Sequence, residues 1–141
     1  MYEGIEVAKF VISFCAESGT PVSNLQLQKI LYFLQVHFIK MERYLFQEDF
    51  YAWQYGPVIP EIYFMFAGYG ASKINSRYDT FLEKEDKDII EPLIQKLIEY
   101  SSWELVAMTH REGGPWDRVL KNGGENSIIP KEYLSYDKAE F

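Results

Sequence analysis

Apolar residues recur at helical spacing over most of the chain, and the places where that period fails divide it into elements. Val7, Phe10, Val11 and Phe14, with Ala8, Ile12 and Cys15 beside them, predict a first helix over residues 3–18, stopped by Gly19-Thr20-Pro21. Ser23 and Gln26 have the spacing of a capping box, in which each side chain satisfies the other residue's free backbone donor, so a second helix begins there. Leu27, Ile30, Leu31, Leu34 and Phe38 carry it to about Met41 with one buried face, and Gln28, Lys29 and Gln35 fall nearer the margin of that face. From Arg43 to Tyr55 the period is lost. Phe46, Phe50, Tyr51, Trp53 and Tyr55 have strand propensity, which predicts a short extended segment or β-hairpin around residues 44–55 with its turn at Gly56-Pro57.

Pro60-Glu61 suits a helix start, since proline's missing donor costs nothing at the first position and the carboxylate meets the positive end of the dipole. Ile62, Phe66 and Tyr69 follow, then a polar connection rich in Gly, Ser and Asn. Ile89, Ile90, Leu93, Ile94, Leu97 and Ile98 predict a strongly amphipathic helix, and Pro92 inside it places the start near Asp88 or Glu91. Ser101 and Glu104 repeat the capping box before Leu105, Val106 and Met108, with Gly113-Gly114 as the stop. Pro115-Trp116 opens a further helix that Asn122-Gly123-Gly124 breaks, and Pro130 opens a last turn with Tyr133 and Leu134. The expected fold is mainly α, a single-domain helical bundle over residues 1–136 with the short extended or hairpin segment, and residues 137–141 are expected to fray.

Composition narrows the class. A chain of 141 residues that is 48% hydrophobic and 17% aromatic can build a core without disulfides, and it is too rich in aromatics to be disordered. A single cysteine and the lack of a cationic leader point to the reducing cytosol, so a cytoplasmic location is expected. Gln, Lys or Glu interrupts every apolar run well short of the roughly 18 residues a membrane span needs. A net charge of −7 repels phosphate backbones and anionic membranes and favours encounter with a basic protein.

Catalytic chemistry finds little support. His37, His110 and Cys15 lack HExxH or CxxC spacing, so no metal site is expected, and Cys15 in an apolar stripe reads as core rather than nucleophile. Glu48-Asp49 and Glu112 read as solvated carboxylates. Gly68-Tyr69-Gly70 follows a helix and lacks the Gly and Lys of a phosphate loop. No catalytic residue, cofactor or metal is therefore expected, and the chain does not read as an enzyme. The alternative is a DNA-binding regulator that uses helices one and two as a helix-turn-helix, reading bases with Asn24, Gln28 and Gln35. Lys29 and Lys40 are a thin supply of phosphate-neutralising charge for that task. About a third of residues 32–69 are aromatic. Phe33, Phe38, Phe50 and Phe66 fit a core, whereas Trp53, Tyr55, Tyr63, Tyr69 and Trp116 carry polar handles suited equally to core and interface.

Three blocks of this sequence together resemble a known family: Leu25-Gln26-Leu27-Gln28-Lys29-Ile30-Leu31-Tyr32-Phe33, Ala52-Trp53-Gln54-Tyr55-Gly56-Pro57-Val58-Ile59-Pro60-Glu61-Ile62-Tyr63, and Thr109-His110 with Pro115-Trp116. In order and spacing they are similar to the Panacea domain of SocA-like antitoxins, some members of which are known only as phage-associated proteins. The resemblance runs from about Ile5 to Tyr136. It implies a mostly helical domain that neutralises a co-encoded toxin by direct protein contact, in one member as an adaptor to a Clp-type protease and in others by binding alone. The chain is expected to be the domain alone, and Glu112-Gly113-Gly114 makes the approach to Pro115-Trp116 slightly longer than the family's spacing. On this reading Trp53, Tyr55, Pro57 and Tyr63 form a partner-binding platform that His110 and Trp116 brace.

Overall fold

Ser23 and Gln26 form the capping box their spacing announces. The Ser23 hydroxyl accepts from the Gln26 backbone N–H, and the Gln26 side chain accepts from the Ser23 N–H. From that start α2 (Asn24–Lys40) runs through the middle of the computed structural model, which describes residues 1–141. Thirteen of its seventeen residues are buried, because α1 (Gly4–Glu17), α4 (Lys84–Leu97), α5 (Ser102–Thr109), α7 (Lys131–Leu134) and a small sheet all pack on it. One apolar cluster results, and it includes Phe33, Phe38, Phe50 and Phe66 as their patterning predicts. Cys15 lies fully within it, where burial pushes the thiol up to about 12 and leaves it inert as a nucleophile.

The fold is mainly α, with a short hairpin in the expected region. Strands β1 (Phe50–Trp53) and β2 (Gly56–Val58) pair antiparallel with Trp53 opposite Gly56 and Tyr51 opposite Val58. Gln54-Tyr55 is therefore the two-residue turn, and Gly56-Pro57 belongs to the strand. An unforeseen strand, β3 (Ile128–Ile129), joins the other side of β1, giving the order β2-β1-β3. Two apolar residues beside a proline carry too weak a pattern to announce a strand. Proline opens α3 (Pro60–Met65) and α6 (Pro115–Gly123), as expected. Ser101 and Glu104 complete the second capping box at the head of α5.

Several expectations are overturned. Gln28, Lys29 and Gln35 are not marginal but fully enclosed, since each gives its polar atoms to backbone groups of segments lying across α2. That burial also removes the helix-turn-helix: Asn24, Gln28 and Gln35, the proposed base-reading row, and Lys29, one of its two phosphate-neutralising cations, face protein and cannot enter a groove. Helix α4 begins at Lys84, two turns before Pro92. The proline sits on the exposed side, so the carbonyl it leaves unpaired meets water. The tail lies against the core: Tyr32 donates to Asp137 at 2.7 Å, and Phe141 packs edge-on against Phe33. Glu48 is not simply solvated, because it accepts from the Gly4 N–H at the start of α1, and Asp49 pairs with Lys131. No helix is long and apolar enough to cross a membrane.

Candidate protein-binding face

Gly56 is the point where three distant parts of the chain meet. Its φ of +109° lies in the left-handed region that side chains avoid, and a Cβ placed on it would stand 2.6 Å from Thr109 Oγ1 and 2.9 Å from Lys29 Cε. Only glycine lets β2 approach α2 and α5 so closely. Beside it the Lys29 amine donates to the Pro57 carbonyl at 2.9 Å, and one residue earlier on α2 the Gln28 side-chain Oε1 accepts from the Ile59 N–H. Gln28 in turn donates to Asn24, whose amide donates to the Tyr63 carbonyl. The polar side of α2 thus pins the whole path from Pro57 to Tyr63.

Lys29 is 0% exposed and faces no carboxylate. Burial alone lowers its pKa from 10.5 to about 7, so the amine is half neutral at physiological pH. Such an amine could act as a base or nucleophile in an open site; here it is sealed and serves the backbone. His110 ends α5, where its backbone N–H donates to the Val106 and Ala107 carbonyls. Its ring lies flat on the Trp116 indole, 3.8 Å between centroids, and its Nε2 is buried without a hydrogen-bond partner. Burial and then the nearby Lys29 charge hold the imidazole below its usual pKa, with Asp117 opposing. The neutral ring stacks, and no buried charge arises. Trp116 closes the circle by donating its indole N–H to the Trp53 carbonyl at 2.8 Å.

The residues proposed for the platform therefore divide into two tiers. Pro57 and Trp116 are buried, and His110 is half-buried; all three lie under the hairpin or beside it. Trp53, Tyr55 and Tyr63 reach the surface. Trp53 is half-buried, fixed by its indole N–H on Asn126, and meets Tyr63 edge-on at 5.1 Å and Phe64 at 5.8 Å. Tyr55, in the hairpin turn, meets Trp103 edge-on at 5.3 Å. The hairpin end thus carries one ring toward α3 and another toward α5.

Two members of this face escaped the sequence reading. Phe64 is 66% exposed and Trp103 61%. Both could have been found from the helical period: Phe64 lies two residues from each of the buried Ile62 and Phe66, and Trp103 two before the buried Leu105, so each points away from the core face. Lys29 and Gln28 were misplaced for the opposite reason, since a periodicity argument counts polar side chains as outward-facing and cannot see the carbonyl or amide that takes them in.

Residues 27–117, which contain most of this interior network, match the family described as Antitoxin SocA-like, Panacea domain, and the chain belongs to that family. It is similar to Antitoxin SocA of Caulobacter vibrioides (strain NA1000 / CB15N), 34% identical over 134 residues that cover 85% of this chain and 71% of that protein. No solved structure matches the chain.

Proposed function

We propose that this chain neutralises a co-encoded protein toxin by direct contact, using the aromatic face around the hairpin end. Trp53, Tyr55 and Tyr63, joined by Phe64 and Trp103, form the contact surface; Pro57, His110 and Trp116 hold it in shape. One observation carries the reading. Tyr55 and Phe64 stand exposed on or beside a segment whose backbone is held from beneath by Gln28, Lys29 and Trp116, so the positions from which these rings project are set before any partner arrives. Preordered aromatic side chains lose little freedom on binding and supply most of the energy at protein interfaces. Family membership and the relative's name support a toxin as the partner. A charge of −7 supports a basic one, since opposite charge speeds encounter and desolvated rings slow dissociation.

Co-expression with the toxin of the neighbouring reading frame tests this. Wild type should relieve growth arrest, and Tyr55→Ala, Phe64→Ala and Trp103→Ala should each weaken relief while melting within about 2 °C of wild type, because these side chains contribute little to the core. Undiminished relief by all three would remove the platform. The fate of the toxin separates the two routes of neutralisation. A toxin that persists, bound, indicates occlusion; a toxin whose half-life shortens only when a Clp-type protease is present indicates an adaptor.

A further inference from the structure

Between β1 and the head of α3 lies a cleft of about 460 Å3, lined by Tyr51, Trp53, Pro60, Glu61, Phe64 and Asn126. Three of these are aromatic and one is charged. Glu61 is exposed and makes neither an ion pair nor a side-chain hydrogen bond within the chain. Its place in the first turn of α3 has a local use against the helix dipole, but that use does not require rings around it. Trp53 is held by Asn126, so its orientation in the cleft is fixed.

Four rings elsewhere in the chain show how a cation is seated on an aromatic face. Tyr78 lies under Lys9, Phe38 under Arg43, Tyr136 under Arg118 and Tyr44 under Lys131, each cation within 6 Å of the ring centroid. None of Tyr51, Trp53 and Phe64 carries a cation of this chain, and no Lys, Arg or His lines the cleft. Aromatic rings beside an unpaired carboxylate are the combination that selects a cationic group over a neutral one of the same shape.

We infer that this cleft receives the Lys or Arg side chain of a protein partner, the head group over the Trp53 and Phe64 rings and paired with Glu61. The role in toxin contact rests on the reading above. The cleft also makes that reading specific: the partner projects a basic side chain toward the hairpin, in keeping with the acidic charge of this chain.

The probe is a blocked tripeptide, acetyl-Gly-Arg-Gly-amide, with the Lys and citrulline peptides beside it, titrated into the 15N-labelled full chain. The Arg and Lys peptides should shift the Trp53 indole N–H and the Glu61 and Asn126 amides saturably, and the neutral citrulline peptide should not. Glu61→Gln and Phe64→Ala should each weaken the Arg peptide by about two- to fivefold, as expected for an exposed ion pair and an exposed cation–π contact. Both positions are exposed, so folding is preserved, and the spectrum itself verifies it. Equal shifts from citrulline, shifts scattered over the acidic surface, or no effect of either variant would overturn the inference. The arms also separate the two claims. Toxin rescue that depends on Tyr55 and Trp103, with no peptide shift at the cleft, leaves the contact reading standing and removes the cation site. Saturable peptide binding with undiminished rescue by the Tyr55, Phe64 and Trp103 variants does the reverse.

Discussion

Lys29 should make this protein more stable as the pH rises above neutrality, against the usual decline of acidic domains in alkali. Its pKa falls from 10.5 in an exposed chain to about 7 when buried, a difference worth about 5 kcal/mol. The sign follows from which state binds the proton. Below pH 7 both states carry it, and the folded state bears the full cost of a buried charge. Between pH 7 and 10.5 the unfolded state binds more protons, so raising the pH favours folding. Above 10.5 both are neutral and the cost is gone. From pH 7 to 9 the gain is about 2 kcal/mol. Above pH 9 Cys15 opposes it, because the unfolded thiol ionises near 9.0 while the folded one waits until about 12. The raised pKa of Tyr32, buried beside Asp137, acts in the same opposing sense above pH 10.

Urea unfolding at pH 7, 8 and 9 under reducing conditions, followed by tryptophan fluorescence, checks this. With the slope of 1–3 kcal/mol/M usual for small domains, the wild-type midpoint should climb by about 1 M over that range. Lys29→Met keeps the length and removes the charge. Its midpoint should stay level between pH 7 and 9, although the Pro57 carbonyl loses its donor at a cost of about 1–3 kcal/mol at every pH. A flat or falling wild-type midpoint, or a Met variant that still climbs, would refute the reasoning, since the rise would then be absent or belong to another group.

Three further outcomes follow from the same interior. Gly56→Ala should cost about 2–4 kcal/mol, seen as a lower melting temperature, because the added methyl meets Thr109 and Lys29 at a left-handed φ. Gln35→Ala strands the Leu45 N–H and the Phe46 carbonyl, which its amide now bridges at 2.8 and 2.7 Å; a loss of about 1–3 kcal/mol and faster hydrogen exchange at the Leu45 amide are expected. Removing residues 137–141 should lower stability by about 2–3 kcal/mol in urea unfolding rather than leave it unchanged, since the buried Tyr32 hydroxyl loses Asp137 and Phe33 loses Phe141.

Much of the helical frame could be read in advance, and the reason is local. Ser23 with Gln26, Ser101 with Glu104, and the prolines at 60 and 115 signal helix starts through groups within one turn of each other. Pro92 misled because its cost depends on whether the freed carbonyl meets water, which is set by the packing of α4 and not by the residue. Strand β3 and the tail were illegible for a similar reason, as Ile128-Ile129 and Asp137 acquire their structure from partners some 80 and 105 residues away in the chain. On the candidate face Trp53, Tyr55 and Tyr63 were legible as residue types with a wet and a dry end, and the helical period marks Phe64 and Trp103 as outward-facing, but nothing local said that Trp116 would be buried.

The three sequence blocks that mark the family turn out to be three sides of one interior joint. Gln28 and Lys29 from the first, Gly56, Pro57 and Ile59 from the second, and Thr109, His110 and Trp116 from the third bond or press against one another. Each constrains the others: a side chain on Gly56 collides with Thr109 and Lys29, and loss of Lys29 or Gln28 leaves a buried backbone group unpaired. Residues so mutually restricted hold the hairpin in place. The exposed rings Phe64 and Trp103 have no such obligation to the fold. They can change at little cost to stability while the joint beneath keeps whatever replaces them in position.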